Sequence, residues 1–333
     1  MFGLLWEADI RPLPEFIDSV GQGNLITSDQ VHPEIFLPYI EAWFEREARL
    51  SSDIVQSFSP AFGFPWVEAI LGCPIIAGQD SIWSLPILST YTDLKLTSLN
   101  PDNPWFCKLL EFTQAMVDFS SGRFPVSLPP IHCPFDVLGA MRGDQQMLLD
   151  LVDQGDAVQK LLTDLIQVYF SITESLLDII PPFFGGYTTR LRMWAPGKAI
   201  TPQNEYASMI STSMYRKFAL PIDRVITEHF PYHSFHLHGS AQHQINNLLT
   251  LEKLTSIQIT LEHNVGGPSL EQMLPRIRDV LILKPVICVV PDIATADICS
   301  NELPPEGLMI LVLEGARELD ERYDAWLETK ARS

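Results

Sequence analysis

Two histidines one residue apart, His236 and His238 in Ser234-Phe235-His236-Leu237-His238-Gly239-Ser240, are the residues of this chain best suited to chemistry. They lie in a local concentration, since six of the eight histidines fall between His229 and His263. A β-strand alternates its side chains with period two, so both imidazoles project from one face, and Gly239 marks where strand gives way to loop. Two neutral imidazoles at a strand end can hold a metal ion if a third protein ligand converges on them and one position stays open for substrate. The plainer alternative is one histidine packed in a lining layer and the other hydrogen-bonded to a loop.

The segment Ser256-Ile257-Gln258-Ile259-Thr260-Leu261-Glu262 alternates strictly, so Gln258, Thr260 and Glu262 share a polar face. An inward carboxylate on the strand next to the histidine strand makes Glu262 the first choice for third ligand or general base. Cys288 is an alternative ligand, although a cysteine within Val286-Ile287-Cys288-Val289-Val290 also reads as a small core residue. Cys299, in a loop after that strand, is a further one. Arg190 and Arg192 alternate on a predicted strand, Thr188 to Trp194, where they can clamp substrate carboxylates or hold a buried acid such as Glu7. Tyr187, Trp194 and Tyr232 near strand ends suit a planar ligand or cofactor, and Asp136 reads as a helix cap.

Short β-type runs alternate with helical patterns along the whole chain. The strand signals lie near residues 4, 55, 125, 190, 235, 258, 287 and 310. Helical spacing predicts helices over Pro33–Arg49, Trp66–Leu71, Asp102–Phe119, Ala157–Ile180, Ser211–Phe230, Gln242–Leu251 and Ser269–Val280, with Pro221 dividing the fifth at Leu220. Eight strands in 333 residues predict one α/β domain over 1–333, a (β/α)8 TIM barrel whose active site lies at the carboxyl ends of its strands. A doubly wound open sheet is the alternative, but no glycine-rich phosphate loop follows any strand.

A net charge of −19, from 22 Lys+Arg against 41 Asp+Glu, excludes a phosphate backbone or an anionic lipid surface as partner. Five scattered cysteines, with no CxxC, argue for reduced thiols. No long apolar run or leader pattern is evident, so the expected location is cytoplasmic.

Three blocks carry a family likeness. Pro65-Trp66-Val67-Glu68-Ala69-Ile70-Leu71-Gly72 resembles the "EA-x-x-G" helix of the uroporphyrinogen decarboxylase superfamily. Cys133-Pro134-Phe135-Asp136-Val137-Leu138-Gly139-Ala140-Met141-Arg142-Gly143, with Leu148 to Asp153 after it, is similar to that superfamily's "GPfdl…lllDl" block. Phe235-His236-Leu237-His238-Gly239 resembles its "iHxCG" strand.

The resemblance implies a (β/α)8 barrel and one of two activities: cofactor-free decarboxylation of tetrapyrrole carboxylates, or zinc-dependent methyl transfer between a corrinoid and a thiol. For the decarboxylase branch the nearest match to the arginine-bearing N-terminal pattern is Glu7 to Phe16, which keeps only Arg11. For the methyltransferase branch, His238 stands where the family has a cysteine, which implies a harder site that favours nitrogen and oxygen donors. The expectation is a zinc methyltransferase using His236, His238 and Glu262 or Cys288. Its expected partners are a small-molecule substrate and a corrinoid or corrinoid protein, with a homodimer compatible. A metal-free lyase and a non-catalytic corrinoid- or tetrapyrrole-binding protein are the alternatives.

Overall fold

The computed structural model describes residues 1–4, 12–49, 52–92, 99–313, 323, 325–327 and 329–330. Glu7 and Arg11 lie outside the described residues.

The chain folds as a mixed α/β structure around a parallel sheet. Its strands are β1 (Phe2–Leu4), β2 (Ala199–Ile200), β3 (Tyr232–His238), β4 (Ser256–Thr260), β5 (Val286–Val290) and β6 (Leu308–Val312), in the spatial order β1-β6-β5-β4-β3-β2. Each neighbouring pair runs parallel. Parallel strands need crossovers. Helix Leu270–Leu281 connects β4 to β5, and helix Ile293–Glu302 connects β5 to β6.

Both faces of the sheet are covered. Val286, Cys288 and Val290 join the main core, whereas Ile287 and Val289 pack with Met309, Leu311, Leu191 and Ile54 in a second, smaller cluster. That period-two division sorts each residue of these continuous apolar runs to one face or the other.

The helices fall close to the predicted spans: Pro33–Glu47, Trp66–Ile70, Pro104–Ser120 and Gly155–Ile179. Pro221 separates helix Thr212–Phe218 from helix Leu220–His229, sitting in the first turn of the second, where its missing N–H costs no intrahelical bond.

The first half pairs less regularly than eight strands would require. Among the described residues, the Ile54–Phe58 and Phe124–Leu128 stretches meet at one parallel bridge, Phe58 with Val126. Pro125, Pro129 and Pro130 supply no N–H to a ladder there. The predicted strand Thr188–Trp194 is instead a tight hairpin, Tyr187–Thr188 against Trp194–Ala195. Arg192 donates its N–H to the Thr189 carbonyl within the turn, at φ 63°. The six parallel strands therefore form the regular part of the sheet. No described helix is long and apolar enough to cross a membrane.

Candidate metal centre

Strand β3 ends where two backbones approach closely. A Cβ on Gly239 would stand 2.9 Å from the Thr260 carbonyl oxygen, so only glycine fits beside β4 at this point. The β3–β4 register sets His236 opposite Gln258 and His238 opposite Thr260. All four side chains line one cavity of about 410 Å³ at the carboxyl ends of these strands. Its walls include Phe64, Ile82, Leu191 and Val289.

The two imidazoles meet through their Nε2 atoms, 3.3 Å apart. Glu205 completes the cluster. Its Oε2 lies 2.8 Å from His238 Nε2 and its Oε1 3.4 Å from His236 Nε2. One ligand atom from each of the three residues falls within 4.8 Å of the others. A tetrahedral zinc ion with bonds of about 2.0–2.1 Å spaces its ligands about 3.3–3.4 Å apart. The His236–His238 and His236–Glu205 separations match that spacing, and Glu205 Oε2 stands closer to His238 Nε2, at hydrogen-bond distance.

Glu205 is delivered by the loop after β2. Gln203 bridges to His236, and the short 3₁₀ turn Glu205–Ser208 begins two residues later. Asp136 anchors that turn by accepting the Glu205 backbone N–H at 2.8 Å. It therefore holds the neighbouring loop rather than capping its own helix, whose N-cap position is Cys133. Sequence reasoning missed Glu205 because β2 is two residues long and shows no alternation. The available signal was an acid just past a short apolar pair, Ala199-Ile200, with Pro202 between them.

Behind the ligands stand two orienting groups. Glu262 Oε1 lies 2.7 Å from His238 Nδ1 and so fixes the proton on Nδ1, leaving the Nε2 lone pair for a metal. Gln258 contacts His236 Nδ1 in the same way, with its amide nitrogen 2.8 Å from Thr260 Oγ1. Turned over, that amide would accept the Thr260 backbone N–H at 3.0 Å and donate to His236 Nδ1, moving the ring proton to Nε2. Metal ligation by His236 Nε2 thus requires the orientation with the Gln258 oxygen toward the ring.

The electrostatics agree with this geometry. The carboxylates of Glu205 and then Glu262 push His238 up to about 10, against the cost of burial. Burial works against a charge on Glu205, but His236 and His238 hold it well below the usual carboxylate range. Glu262 is lowered chiefly by His238.

The other predicted site residues are dispersed. Cys288 faces away from the cavity that its neighbour Val289 lines, and lies wholly buried in the core. Cys299 is buried in helix Ile293–Glu302, not in a loop. Arg190 lines the cavity and donates to Gln203 Oε1 at 3.1 Å. Arg192 does not share its face, because the hairpin turn sends it inward to Glu47, 3.2 Å away, and to the Ser57 carbonyl. Tyr187, Trp194 and Tyr232 are absent from the cavity lining. Tyr232 stands at the amino end of β3, about 20 Å from His238 at 3.3 Å per residue.

No family model and no curated protein matches the chain. Among solved structures it is similar to a methyltransferase from Methanosarcina mazei, with a TM-score of 0.65 and 12% sequence identity over 99% of this chain and 93% of that one. At that identity the likeness is one of fold.

Proposed function

We propose that this chain is a zinc-dependent methyltransferase of the uroporphyrinogen decarboxylase superfamily. In this reading it is built on a (β/α)8 barrel, with Glu205, His236 and His238 as metal ligands and a corrinoid or a thiol as methyl-exchange partner. The convergence of Glu205, His236 and His238, with Glu262 behind His238, carries the reading. The fold likeness to a methyltransferase and the three superfamily-like sequence blocks support it.

Two imidazoles and one carboxylate form a donor set used by catalytic zinc, and all three residues line the cavity. Zinc held there would act as a Lewis acid toward a thiol or water acceptor. The protein's own part is to fix the Nε2 lone pair of His238 through Glu262. Gln258 does the same for His236 only with its oxygen toward the ring, the orientation that leaves its amide less well satisfied. Phe64, Ile82, Leu191 and Val289 give the cavity apolar walls beside these ligands. A cavity of about 410 Å³ falls within the roughly 300–1,000 Å³ range of small-molecule sites.

A metal-free decarboxylase needs a clamp of cations for its carboxylates. Of the alternating pair Arg190 and Arg192, Arg192 is committed to Glu47, so only Arg190 of the two reaches the cavity.

The test is metal content followed by turnover. Full-length protein should purify with stoichiometric zinc, and the zinc form should demethylate methylcobalamin in the presence of a simple thiol, read by the change in cobalamin absorbance. Zinc-free protein that still turns over would overturn the metal assignment. Zinc-loaded protein inert toward methylcobalamin would favour the non-catalytic binding role.

A further inference from the structure

His132 lines the same cavity as the metal centre, yet none of that centre's three ligands is its hydrogen-bond partner among the described residues. Its Nδ1 lies 2.6 Å from Glu68 Oε1. Glu68 sits in the helix Trp66–Ile70 with its side chain 2% exposed, whereas the His132 side chain is 31% exposed. That exposure opens into two spaces, because His132 lines both the 410 Å³ cavity and an adjoining one of about 670 Å³. With Nδ1 engaged by the carboxylate, Nε2 is the ring nitrogen left for proton exchange.

A buried carboxylate behind an imidazole that opens on a cavity is the arrangement used for proton transfer. The carboxylate fixes the ring tautomer and stabilises the imidazolium, and the far nitrogen exchanges the proton. A purely structural ion pair accounts less well for it. Glu68 Oε2 is buried and has no hydrogen-bond partner among the described residues, and a half-satisfied buried pair stabilises a fold poorly. Three carboxyl groups face the ring: Glu68 from its helix, Asp136 from the helix Pro134–Arg142, and Glu205 from the loop after β2. Burial opposes a charge on His132, but these groups, led by Glu68, outweigh it and push the ring up to about 9. The ring is therefore a proton donor at neutral pH. Arg190 adds a second cationic side chain to the same cavity, in a chain whose net charge is −19.

We propose that His132, with Glu68 behind it, is the general acid of this cavity, donating its Nε2 proton to a substrate oxygen or nitrogen on which negative charge develops. The Nε2–H bond breaks and leaves its electron pair on the ring, while a lone pair of the substrate atom forms the new bond to hydrogen. Glu68 keeps the Nδ1–H throughout. The neutral ring then regains a proton from a solvent water, whose hydroxide leaves to bulk solvent. The ligand class is a small molecule that carries or releases an oxyanion or amine. Glu68 is the positioning residue, and the inference shares the cavity of the preceding section but not its metal.

Histidine-ring ¹⁵N–¹H spectra of the full-length protein across the neutral and alkaline range, with 4-nitrophenolate as an oxyanion probe, test it. His132 should remain an imidazolium through neutrality, and Glu68→Gln should move its titration down toward an ordinary histidine. The probe should perturb His132 Nε2, and His132→Gln should weaken probe binding about tenfold or more, with zinc content unchanged. Unaltered His132 titration in Glu68→Gln, or equal probe affinity in His132→Gln, overturns the proposal. If Glu68→Gln does not fold, His132→Gln on the cavity wall still decides. Absence of zinc would count against the metal centre and leave the His132 titration and probe binding as independent readouts.

Discussion

His238 is held from behind by Glu262: Nδ1 of the ring and Oε1 of the carboxylate lie 2.7 Å apart. The opposite ring nitrogen meets Glu205 Oε2 at 2.8 Å, so one imidazole is clamped between two carboxylates with unequal roles. Glu205 reaches the point where both Nε2 atoms converge, and Glu262 reaches only the back of one ring.

Glu205→Gln and Glu262→Gln should therefore differ in degree. Loss of an outer partner of a ligating histidine costs about 10–100-fold in metal affinity, and Glu262→Gln should fall in that range. Glu205→Gln replaces a charged donor with a poor amide ligand and should lose more. Zinc competition against a chromophoric chelator measures both, and the reverse order would make Glu262 the ligand.

The sequence made the histidine pair legible because β3 and β4 follow simple rules. Period-two alternation put His236, His238, Gln258 and Thr260 on one face, and the structure has all four lining one cavity. The same rule misled at Arg190 and Arg192, whose alternation belongs to a turn with a left-handed residue at Arg192. Glu205 was hidden because it sits on a loop, where position is set by Asp136 from a distant part of the chain rather than by any local period. Glu262, read from the sequence as third ligand or general base, lies instead behind His238 on Nδ1. It misses the point where the Nε2 atoms converge because β4 ends at Thr260 and the chain has turned before Glu262.

Arg192 should matter to stability and not to the site. Its guanidinium lies 3.2 Å from Glu47 and 5.4 Å from the Phe58 ring centre, with both charged side chains wholly buried. Removing one partner of such a pair typically costs about 3–5 kcal/mol, since the other charge stays buried. Arg192→Ala should lower the urea midpoint accordingly and retain zinc. A variant of wild-type stability that failed to bind substrate would instead return Arg192 to the cavity.

Thiol chemistry should leave the metal in place. Burial pushes the Cys288 thiol well above its ordinary value, and Cys73 and Cys299 are likewise raised by burial to about 12. Cys107 is the exposed thiol. Mild alkylation should modify Cys107 first, as read by peptide mass spectrometry, with zinc content unchanged. Zinc release in step with modification of Cys288 or Cys299 would point to a thiolate ligand.

The pH dependence should couple zinc to the proton on His238. The ring's value rises from 6.5 to about 10 in the folded, metal-free protein. A raised value means that the clamp's contribution to stability is fully present below 6.5 and is lost as pH climbs toward 10. Zinc needs the neutral ring, so binding below about 10 must expel one proton. Apparent zinc affinity should then rise about tenfold per pH unit through neutrality from this group alone. The two trends run in opposite directions: the metal-free protein weakens with alkalinity while the zinc-bound form gains from tighter binding. Thermal melts of chelator-treated and zinc-loaded protein should therefore diverge as pH rises from 7 to 9. Curves that stay parallel over that range would mean that no proton leaves His238 on metal binding, and that zinc, if bound, is held elsewhere.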